Sequence, residues 1–308
     1  MRVIVTGGCG FIGSHLVRHL IHCGDEVLNV DKMTYAAKEE RRGLAPHVQL
    51  DICDSKDLTS LMLDYRPEVV YHLAAETHVD NSIARCDVFS RTNVEGTVSV
   101  LDACIASGSR ICHVSTDEVY GPADSRPFHE DDPMNPQNPY SATKAAGDMM
   151  VRAYHNTHKI PYIIVRPSNN YGPGQHEEKF IPKFLRALET NGTFPMYGKG
   201  DQMREWTYVE DTAREIRRIT IGNGTNWNAV FNVSSGITMT NLRAAETIAS
   251  IYSKTRGIPV PIEEIVKFSP DRPGHDRRYW IDSSRLHRLL DVEYTSFEDG
   301  ISSILSNR

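Results

Sequence analysis

A glycine-rich segment near the N-terminus constrains the fold of this 308-residue chain more than any other feature. The stretch "RVIVTGGCGFIGSHL" indicates a short strand, then a turn containing Gly7, Gly10 and Gly13, then the start of a helix. Glycines at this spacing let the backbone approach a pyrophosphate at a helix N-terminus, where unpaired N–H groups favour an anion. A glycine-rich turn without a ligand could have the same sequence, so the glycines alone are weak evidence.

The next strand supplies the context that the glycines need. "EVLNVD" ends on Asp31, where a carboxylate can accept hydrogen bonds from a ribose diol. We therefore predict a dinucleotide site, and the acid favours NAD over NADP because it would repel a 2′-phosphate. Lys32 follows directly and weakens that discrimination. The segment "DIC", residues 51–53, is expected to lie in a loop that could hold the adenine.

Short β-branched runs alternate with helical patterns through the first half of the chain. Further strands are predicted at "VVYHLAA", "ICHVST" and "YIIVRP", with one helix at roughly 84–107 that ends near Gly108 and another entered at Pro139. This order is typical of an α/β protein with a doubly wound parallel sheet and helices on both faces. After Arg166, turns such as "YGPG" and "SPDRPGHD" indicate a smaller C-terminal lobe that contributes the substrate side.

Composition argues against several classes of function. The net charge of −6 argues against nucleic acid as the main partner. No run approaches the roughly 20 apolar residues of a membrane span, and the first apolar stretch is too short for a signal peptide. The six cysteines form no CxxC pair, so we predict no metal site and no disulfide framework. We expect all of them to be buried small hydrophobic residues in a reducing cytoplasm.

The stretch "PYSATK" carries a tyrosine and a lysine four residues apart, hence on one helix face: Tyr140 and Lys144. A nearby ammonium favours the phenolate, and such a tyrosine can take a proton from an alcohol while hydride leaves the carbon. A surface tyrosine beside a solvated lysine is the alternative, because this spacing is common by chance. The predicted dinucleotide site favours the catalytic interpretation.

The stretch "STDEVYG" places Thr116, Asp117 and Glu118 directly after an apolar run. Adjacent carboxylates at the end of a buried strand are unfavourable unless something uses or neutralises them. Elimination of water would use both: an ionised carboxylate removes a hydrogen next to a new ketone, and a protonated one donates to the departing hydroxyl. Asp117 could instead cap a turn while Glu118 faces solvent, and spacing alone does not separate these alternatives.

Taken together, these motifs resemble those of the extended short-chain dehydrogenase/reductase family, and within it the nucleotide-sugar 4,6-dehydratases, specifically the dTDP-glucose 4,6-dehydratases. The matching stretches run from residue 3 to about 282 and include "VTGGCGFIGSH", "LAAETHVDNSI", "STDEVYG", "PYSATKAAGD" and "DRPGHDRRYWID". Related 4-epimerases share the glycine loop and Tyr-x-x-x-Lys but typically lack the Asp-Glu pair. The resemblance implies a Rossmann fold, a recycled NAD, and dehydration of a nucleotide-diphosphate hexose to its 4-keto-6-deoxy derivative.

The resemblance also implies residue roles. Tyr140 would be the base at the sugar 4-hydroxyl with Thr116 beside it, and Lys144 would support Tyr140 and the nicotinamide ribose. Glu118 would remove the C5 proton, and Asp117 would protonate the C6 hydroxyl as it leaves. The implied cofactor-binding residues are Gly7, Gly10, Phe11, Ile12, Gly13, Asp31, Lys32, Thr34, Asp51, Ile52, Leu73, Ala74, Ala75, Thr77, Asn93, Tyr140 and Lys144. The implied substrate-binding residues are Thr77, His78, Asn170, Lys179, Phe180, Tyr197, Arg204, Asn232, Arg272 and His275.

Two domains are expected: residues 1–166 plus about 206–238 for NAD, and about 167–205 plus 239–308 for the nucleotide sugar. In the resembling family, the helices that correspond to 84–107 and to the one beginning at Tyr140 pair as a four-helix bundle, which implies a homodimer. The segment after Tyr35 is short for the family, so the choice between thymine and uracil stays open. The other open alternatives are a nucleotide-sugar 4-epimerase and a non-catalytic redox-sensing or scaffold protein.

Overall fold

A computed structural model describes residues 1–222, 226–271 and 276–307. Its strands are β1 (Arg2–Thr6), β2 (Glu26–Asp31), β3 (His47–Gln49), β4 (Val69–His72), β5 (Arg110–Val114), β6 (Tyr162–Pro167), β7 (Asn169–Tyr171), β8 (Phe194–Tyr197), β9 (Met203–Tyr208), β10 (Ala229–Val233), β11 (Thr238–Thr240) and β12 (Val266–Ser269). Its helices are α1 (Phe11–His22), α2 (Ser55–Tyr65), α3 (Val79–Ala84), α4 (Cys86–Ser90), α5 (Gly96–Ser107), α6 (Pro139–His158), α7 (Phe180–Glu189), α8 (Val209–Ile221), α9 (Asn241–Arg256), α10 (Ile262–Ile265), α11 (Ser284–Leu289) and α12 (Phe297–Ser306).

The main sheet has the strand order β10-β6-β5-β4-β1-β2-β3, and its neighbouring strands are all parallel. Successive residues of β1 face opposite sides, as a pleated strand requires. Val3 and Val5 pack with residues of α1 and α8, whereas Ile4 packs with residues of α2 and α5. The predicted doubly wound parallel sheet is therefore confirmed. Its order reverses between β1 and β4, and ligands of such sheets bind beyond the carboxyl ends of the strands at this point.

A second, smaller core forms around two short sheets, β11-β9-β7 and β12-β8. Phe184 of α7, Ile248 of α9 and Phe297 of α12 are buried there against Trp206 of β9. Since β9 runs directly into α8, one continuous segment connects this core to the main sheet. Over the described ranges, no helix is both long enough and apolar enough to cross a bilayer.

The helix predicted at roughly 84–107 is present from Cys86 to Ser107 and contains a π-helical turn. This turn, Arg91–Glu95, joins α4 to α5, and α5 ends at Ser107 with Gly108 as its C-cap at φ of 70°. π turns inside helices are often associated with functional sites. Here the turn contains Asn93, whose Nδ2 donates to Glu76 O at 3.0 Å and to Thr143 Oγ1 at 2.9 Å. The turn thereby fixes the loop after β4 against α6.

The expectation that all six cysteines are buried is wrong for part of the set. Three are buried, one is half-buried and two are exposed: Cys9, Cys104 and Cys112, then Cys53, then Cys23 and Cys86. All six are free thiols. The three buried residues lie in the glycine loop, in α5 and in β5.

A buried guanidinium joins the elements below the carboxyl end of the sheet. Arg166 of β6 is 1% exposed, and its Nε donates to Asp148 Oδ2 of α6 at 2.9 Å. Its Nη1 donates to Tyr120 Oη at 2.7 Å and to Glu130 O at 3.3 Å. Asp148 is fully buried one helical turn after Lys144. The arginine therefore fixes the segment after β5 and α6 relative to the sheet.

Replacing Arg166 with methionine should destabilise the protein strongly. The change leaves the Asp148 carboxylate buried without its cationic partner, and we expect the free energy of unfolding to fall by about 3–5 kcal/mol. Urea unfolding measures this loss. The double variant R166M/D148L removes both charges and should recover most of the stability. A double variant as unstable as R166M would contradict this account.

Candidate active site

The glycine loop is packed so closely that side chains would not fit at two of its positions. A Cβ on Gly7, whose φ is +76°, would lie 2.7 Å from Ala74 N, and one on Gly13 would lie 2.1 Å from Gly7 O. The loop therefore lies directly against the end of β4. Gly10 is the N-cap of α1 and offers no side-chain cap. No N-cap side chain therefore occupies the start of this helix beside the adjoining cavity, which suits an anion.

Asp31 and Lys32 are both bonded within the protein. Asp31 Oδ2 accepts from Cys9 N at 2.9 Å, and its Oδ1 accepts from Met33 N at 2.8 Å. Each carboxylate oxygen keeps a further lone pair for a hydroxyl donor. Lys32 Nζ lies 3.7 Å from Asp51 Oδ2 and 3.8 Å from a carboxylate oxygen of Glu76. These two acids offset the lysine charge, which weakens its case as a 2′-phosphate ligand.

A first cavity runs from the glycine loop along the carboxyl ends of β2, β4 and β5 to α6. Its wall contains most of the residues predicted for the cofactor and the reaction: Gly7, Gly10, Phe11, Ile12, Gly13, Asp31, Lys32, Thr34, Ile52, Leu73, Ala74, Ala75, Thr77, Thr116, Asp117, Glu118, Tyr140 and Lys144. The fold thus brings together segments that are far apart in the sequence.

Buried oxygen atoms without a hydrogen-bond partner among the described residues cluster on this wall. They are Ser115 Oγ, Asp117 Oδ2, Asn169 Oδ1, Asn170 Oδ1 and Gln175 Oε1. Unsatisfied buried polar atoms are rare in native proteins, and a polar ligand is one explanation for a group of them. With the glycine loop and the Asp31 lone pairs, they fit a dinucleotide with a polar substrate beside it.

The turn after β5 orders the three residues of the "TDE" motif. Thr116 is the N-cap of a 3₁₀ turn over Asp117–Tyr120, and its Oγ1 accepts from Glu118 N at 3.3 Å. The same hydroxyl donates to Asp117 Oδ1 at 3.2 Å. Asp117 is 3% exposed, whereas Glu118 is half-buried and lies on the wall of the first cavity and of a second one.

The two carboxyl groups lie in different environments. Burial raises the pKa of Asp117 well above its ordinary value, and the nearby carboxylates of Glu118 and Glu205 raise it further. Glu118 instead has hydrogen-bond donors nearby: Asn138 Nδ2 and Tyr279 Oη each lie 3.3 Å from its Oε2. Asp117 is therefore suited to donate a proton, and Glu118 is suited to accept one.

Tyr140 and Lys144 are both buried on the first turns of α6. Burial lowers the pKa of the Lys144 ammonium to about 8, while the Asp148 carboxylate opposes this shift. Lys144 Nζ donates to Val114 O at 2.8 Å, at the end of β5. Burial and the charge of Glu118 raise the pKa of Tyr140. The predicted lowering of this pKa by Lys144 is therefore not produced by the protein alone.

A second cavity adjoins the first along Glu118, Asn169, Glu178 and Lys179, which line both. Five residues predicted for the substrate lie on its wall: His78, Lys179, Phe180, Tyr197 and Arg204. Lys183 and Arg186 add positive charge to the wall. The guanidinium of Arg204 lies 4.4 Å from the ring centroid of Tyr279. The same wall carries the carboxylates of Asp80, Glu118, Glu177 and Glu178, so its cations offer individual contacts to a phosphate rather than a net positive charge.

Comparison with known proteins assigns the chain to a family. Residues 4–304 match the family model described as GDP-mannose 4,6 dehydratase. The chain belongs to this family. The resemblance stated from the motifs is thereby confirmed.

Curated relatives support the same assignment over nearly the full length. The chain is 41% identical to the low-salt glycan biosynthesis protein Agl12 of Haloferax volcanii, covering 98% of this chain and 97% of that protein. It is 39% identical to the dTDP-glucose 4,6-dehydratase of Neisseria gonorrhoeae, covering 97% and 93%.

Solved structures of the family and of its neighbours have the same fold. DesIV, a dTDP-glucose 4,6-dehydratase from Streptomyces venezuelae with NAD and TYD bound, is 37% identical with a TM-score of 0.91, covering 100% of this chain and 98% of that one. A UDP-glucose 4-epimerase from Thermotoga maritima with UDP-glucose is 27% identical with a TM-score of 0.90, covering 99% and 98%. Fold alone therefore does not separate dehydratases from epimerases.

Not every residue that the family resemblance implied lies at the cavities. Asn232 is fully buried: its Nδ2 donates to Phe128 O and Asp282 O, and its Oδ1 accepts from Tyr120 Oη. Its side chain is used inside the protein, so we withdraw Asn232 from the substrate set. Arg272 and His275 lie outside the described residues.

Asp51 and Asn93, which were predicted to bind the cofactor, do not line the first cavity. Asp51 Oδ1 accepts from Cys53 N at 3.0 Å, and Asn93 Oδ1 accepts from Glu76 N at 2.8 Å. Neither is among the described residues on the cavity wall. Asn93 instead holds the loop after β4, and Asp51 lies next to Lys32.

Sequence reasoning missed several residues that border the carboxyl groups of Asp117 and Glu118. Tyr279 and Asn138 bond to Glu118, and Glu205 raises the pKa of Asp117. The position of Asn138 could have been inferred from the sequence, because an asparagine directly before a proline is typical of a helix N-cap. No sequence pattern indicated the contact of Tyr279 with Glu118, because the two residues lie 161 positions apart. Tyr279 was only part of a stretch that resembles the family.

The lowered pKa of Lys144 predicts a pH-dependent stability. Between about pH 8 and its ordinary pKa of 10.5, the unfolded chain holds a proton that the folded chain has lost. The folded state therefore gains stability as the pH rises through this window. Relative to Lys144→Met, we expect the free energy of unfolding of the unmodified protein to rise by about 2–3 kcal/mol from pH 7 to pH 10, as measured with urea.

Lys56, which is exposed on α2, provides the matched control. The difference between the unmodified protein and Lys56→Met should stay flat over the same pH range. A flat difference for Lys144→Met as well would show that the Lys144 pKa is not lowered by folding.

Proposed function

We propose that this protein is an NAD-dependent nucleotide-sugar 4,6-dehydratase that takes dTDP-glucose. It oxidises C4 of the hexose, eliminates water across C5 and C6, and returns hydride to C6, so that the cofactor is regenerated. The observation that carries the proposal is the pair Asp117 and Glu118, adjacent in sequence but different in environment. Elimination needs one protonated and one ionised carboxyl group at the same substrate.

Tyr140 and Thr116 serve the oxidation of C4. Tyr140 takes the proton of the sugar 4-hydroxyl, and the Thr116 hydroxyl contacts the same oxygen. Lys144 remains positively charged at neutral pH, since its pKa of about 8 lies above 7. When bound, NAD supplies a hydride acceptor with a positively charged nicotinamide, and that charge favours the phenolate that the protein alone does not favour.

The two carboxyl groups then carry out the elimination. Glu118 removes the C5 proton, which the new C4 ketone makes acidic. Asp117 gives its proton to the C6 hydroxyl, so that the leaving group is water rather than hydroxide. Burial raises the pKa of Asp117 well above its ordinary value, which favours the protonated form that this step needs.

We propose that the two cores divide the binding. Residues 1–166 with about 206–238 hold NAD, and residues about 167–205 with 239–308 hold the nucleotide sugar. The main sheet supports the first assignment, because its strands β1 to β6 and β10 fall in the NAD set. The proposed sugar-nucleotide contacts are Thr77, His78, Asn170, Lys179, Phe180, Tyr197 and Arg204, with Arg272 and His275 carried over from the family resemblance alone.

Three alternatives differ from this proposal in the reaction, in the nucleotide base or in having no reaction at all. A 4-epimerase changes the configuration at C4 without loss of mass, and it has no use for two further carboxyl groups. A dehydratase acting on a UDP-sugar would share the whole catalytic set and differ only at the base. A non-catalytic NAD-binding protein would have no need of the buried Tyr140 and Lys144.

Replacing the carboxyl groups should separate elimination from oxidation. Asp117→Asn provides a poor proton donor and Glu118→Gln provides no base, so each should lose roughly 10²–10⁴-fold in turnover of dTDP-glucose. Both should still oxidise C4 and accumulate reduced nicotinamide, which is measured by its absorbance. Tyr140→Phe is the contrasting variant, because it should show neither product nor reduced nicotinamide. Wild-type turnover in both carboxyl variants would contradict the mechanism.

We also propose that the protein is a homodimer that acts in the cytoplasm, where free thiols such as its six cysteines persist. Large apolar side chains are exposed on α3, α5 and α6: Ile83 by 54%, Ile105 by 42% and Met149 by 59%. A two-fold pairing of these helices would cover them.

Light scattering at micromolar concentration tests the dimer. The unmodified chain should give the mass of two copies, and Met149→Glu should shift it toward one by placing a charge in the interface. Leu63 on α2 is exposed by 46% and serves as the control, since Leu63→Glu should stay dimeric. A monomer mass for the unmodified chain would refute the proposal.

A further inference from the structure

Tyr279 gives Glu118 a partner that can both accept and donate a proton. Its Oη lies 3.3 Å from Glu118 Oε2 and 2.5 Å from Asp276 Oδ2. Asn138 Nδ2 approaches the same glutamate oxygen at 3.3 Å, but an amide nitrogen cannot take up a proton and pass another on. The three residues therefore form one hydrogen-bonded chain, Glu118–Tyr279–Asp276.

The direction of the hydrogen bonds among Glu118, Tyr279 and Asp276 depends on whether Glu118 carries a proton. A phenol carries one proton, so Tyr279 cannot donate to both carboxylates at once. Its shorter contact is with Asp276, which makes Asp276 the acceptor. The longer contact becomes a full hydrogen bond when Glu118 carries a proton and donates it to the phenol oxygen. In the proposed reaction, Glu118 reaches that state after it has removed the C5 proton.

The hydrogen-bonded chain Glu118–Tyr279–Asp276 also leads away from the proposed substrate site. Glu118 lines both cavities and Tyr279 lines the second, so a bound nucleotide sugar displaces water from that side. Asp276 is not among the described residues on either wall, and it remains 6% exposed. Arg204 lies over the Tyr279 ring, and its Nη2 donates to Asp276 O at 3.0 Å. These contacts hold Asp276 beside the Tyr279 phenol, so that its Oδ2 can receive the phenol proton.

We propose that Tyr279 and Asp276 are a proton relay through which the proton that Glu118 takes from C5 exchanges with water before C5 is reprotonated. The inference rests on the proposed function, because only that reaction puts a C5 proton on Glu118. Both residues act through Glu118 and are positioning residues.

The relay step conserves protons and transfers no electrons. The O–H bond of the Glu118 carboxyl group breaks as an O–H bond forms at the Tyr279 oxygen, and Tyr279 passes its own proton to the Asp276 carboxylate. Glu118 is then a carboxylate again, and Asp276 is a carboxyl group that loses its proton to water. The reverse sequence delivers a solvent proton to Glu118 for return to C5.

The isotope content of the product tests the relay. dTDP-glucose is converted in D₂O buffer, and the hydrogen at C5 of the product is read by proton NMR and mass spectrometry. The unmodified protein should give a product with deuterium at C5. Tyr279→Phe and Asp276→Asn break the relay at different points, and each should give a several-fold rise in the protium retained at C5. A purely structural defect would lower the rate without changing this isotope ratio.

The matched control is Tyr65→Phe, which removes a phenol that donates to Glu26 O away from the site. Its product should have the same C5 deuterium content as that of the unmodified protein. Isolated product incubated in D₂O without protein corrects for exchange next to the ketone. Full deuteration at C5 in both relay variants overturns the relay and leaves the dehydratase proposal intact. Failure of the unmodified protein to eliminate water overturns both.

Discussion

The buried ion pair of Arg166 and Asp148 holds the reactive segments in register. Asp148 follows Lys144 by one turn of α6, and Tyr120, the second partner of Arg166, closes the turn that begins at Thr116. Removing two charges from water costs several kcal/mol per ion, and the pair offsets this cost only through good geometry and further hydrogen bonds. Arg166 meets that condition with bonds to three separate segments. A shift of any one of them would therefore displace the others.

Asp117 and Glu118 have different environments because their consecutive side chains point in different directions. One enters the interior, where burial and like charges favour the neutral acid. The next reaches the wall shared by the two cavities, where hydrogen-bond donors surround it. A single step along the chain thereby places two carboxyl groups in contrasting environments, as the proposed acid and base roles require. A neutral Asp117 would also avoid the penalty of a buried charge.

Sequence predicted the features that depend on local patterns. The strand, glycine loop and helix at the N-terminus occur where expected, with Asp31 at the end of β2, because periodicity and glycine spacing are local signals. The sequence likewise predicted that a helix begins at Pro139, and the structure adds a capping box formed by Asn138. Long-range contacts could not be predicted from the sequence. Tyr279 reaches Glu118 only through the folding of the C-terminal lobe, and no spacing rule links them.

Two other expectations failed for electrostatic and packing reasons. The Tyr140 pKa is governed by burial and nearby carboxylates, which residue spacing does not indicate. The family resemblance assigned Asn232 to the substrate, but its amide nitrogen donates to the backbone carbonyls of Phe128 and Asp282. A motif indicates which residues are present, whereas burial and partners decide what they can do.

In the proposed reaction, Asp117 and Glu118 together eliminate water from a nucleotide hexose. The most direct test is to incubate the purified protein with dTDP-glucose and, separately, with UDP-glucose, and to weigh the sugar nucleotides by mass spectrometry. This reaction should give a product lighter than dTDP-glucose by one water, formed faster than any product from UDP-glucose. A product of unchanged mass with inverted configuration at C4 would contradict it and identify an epimerase instead.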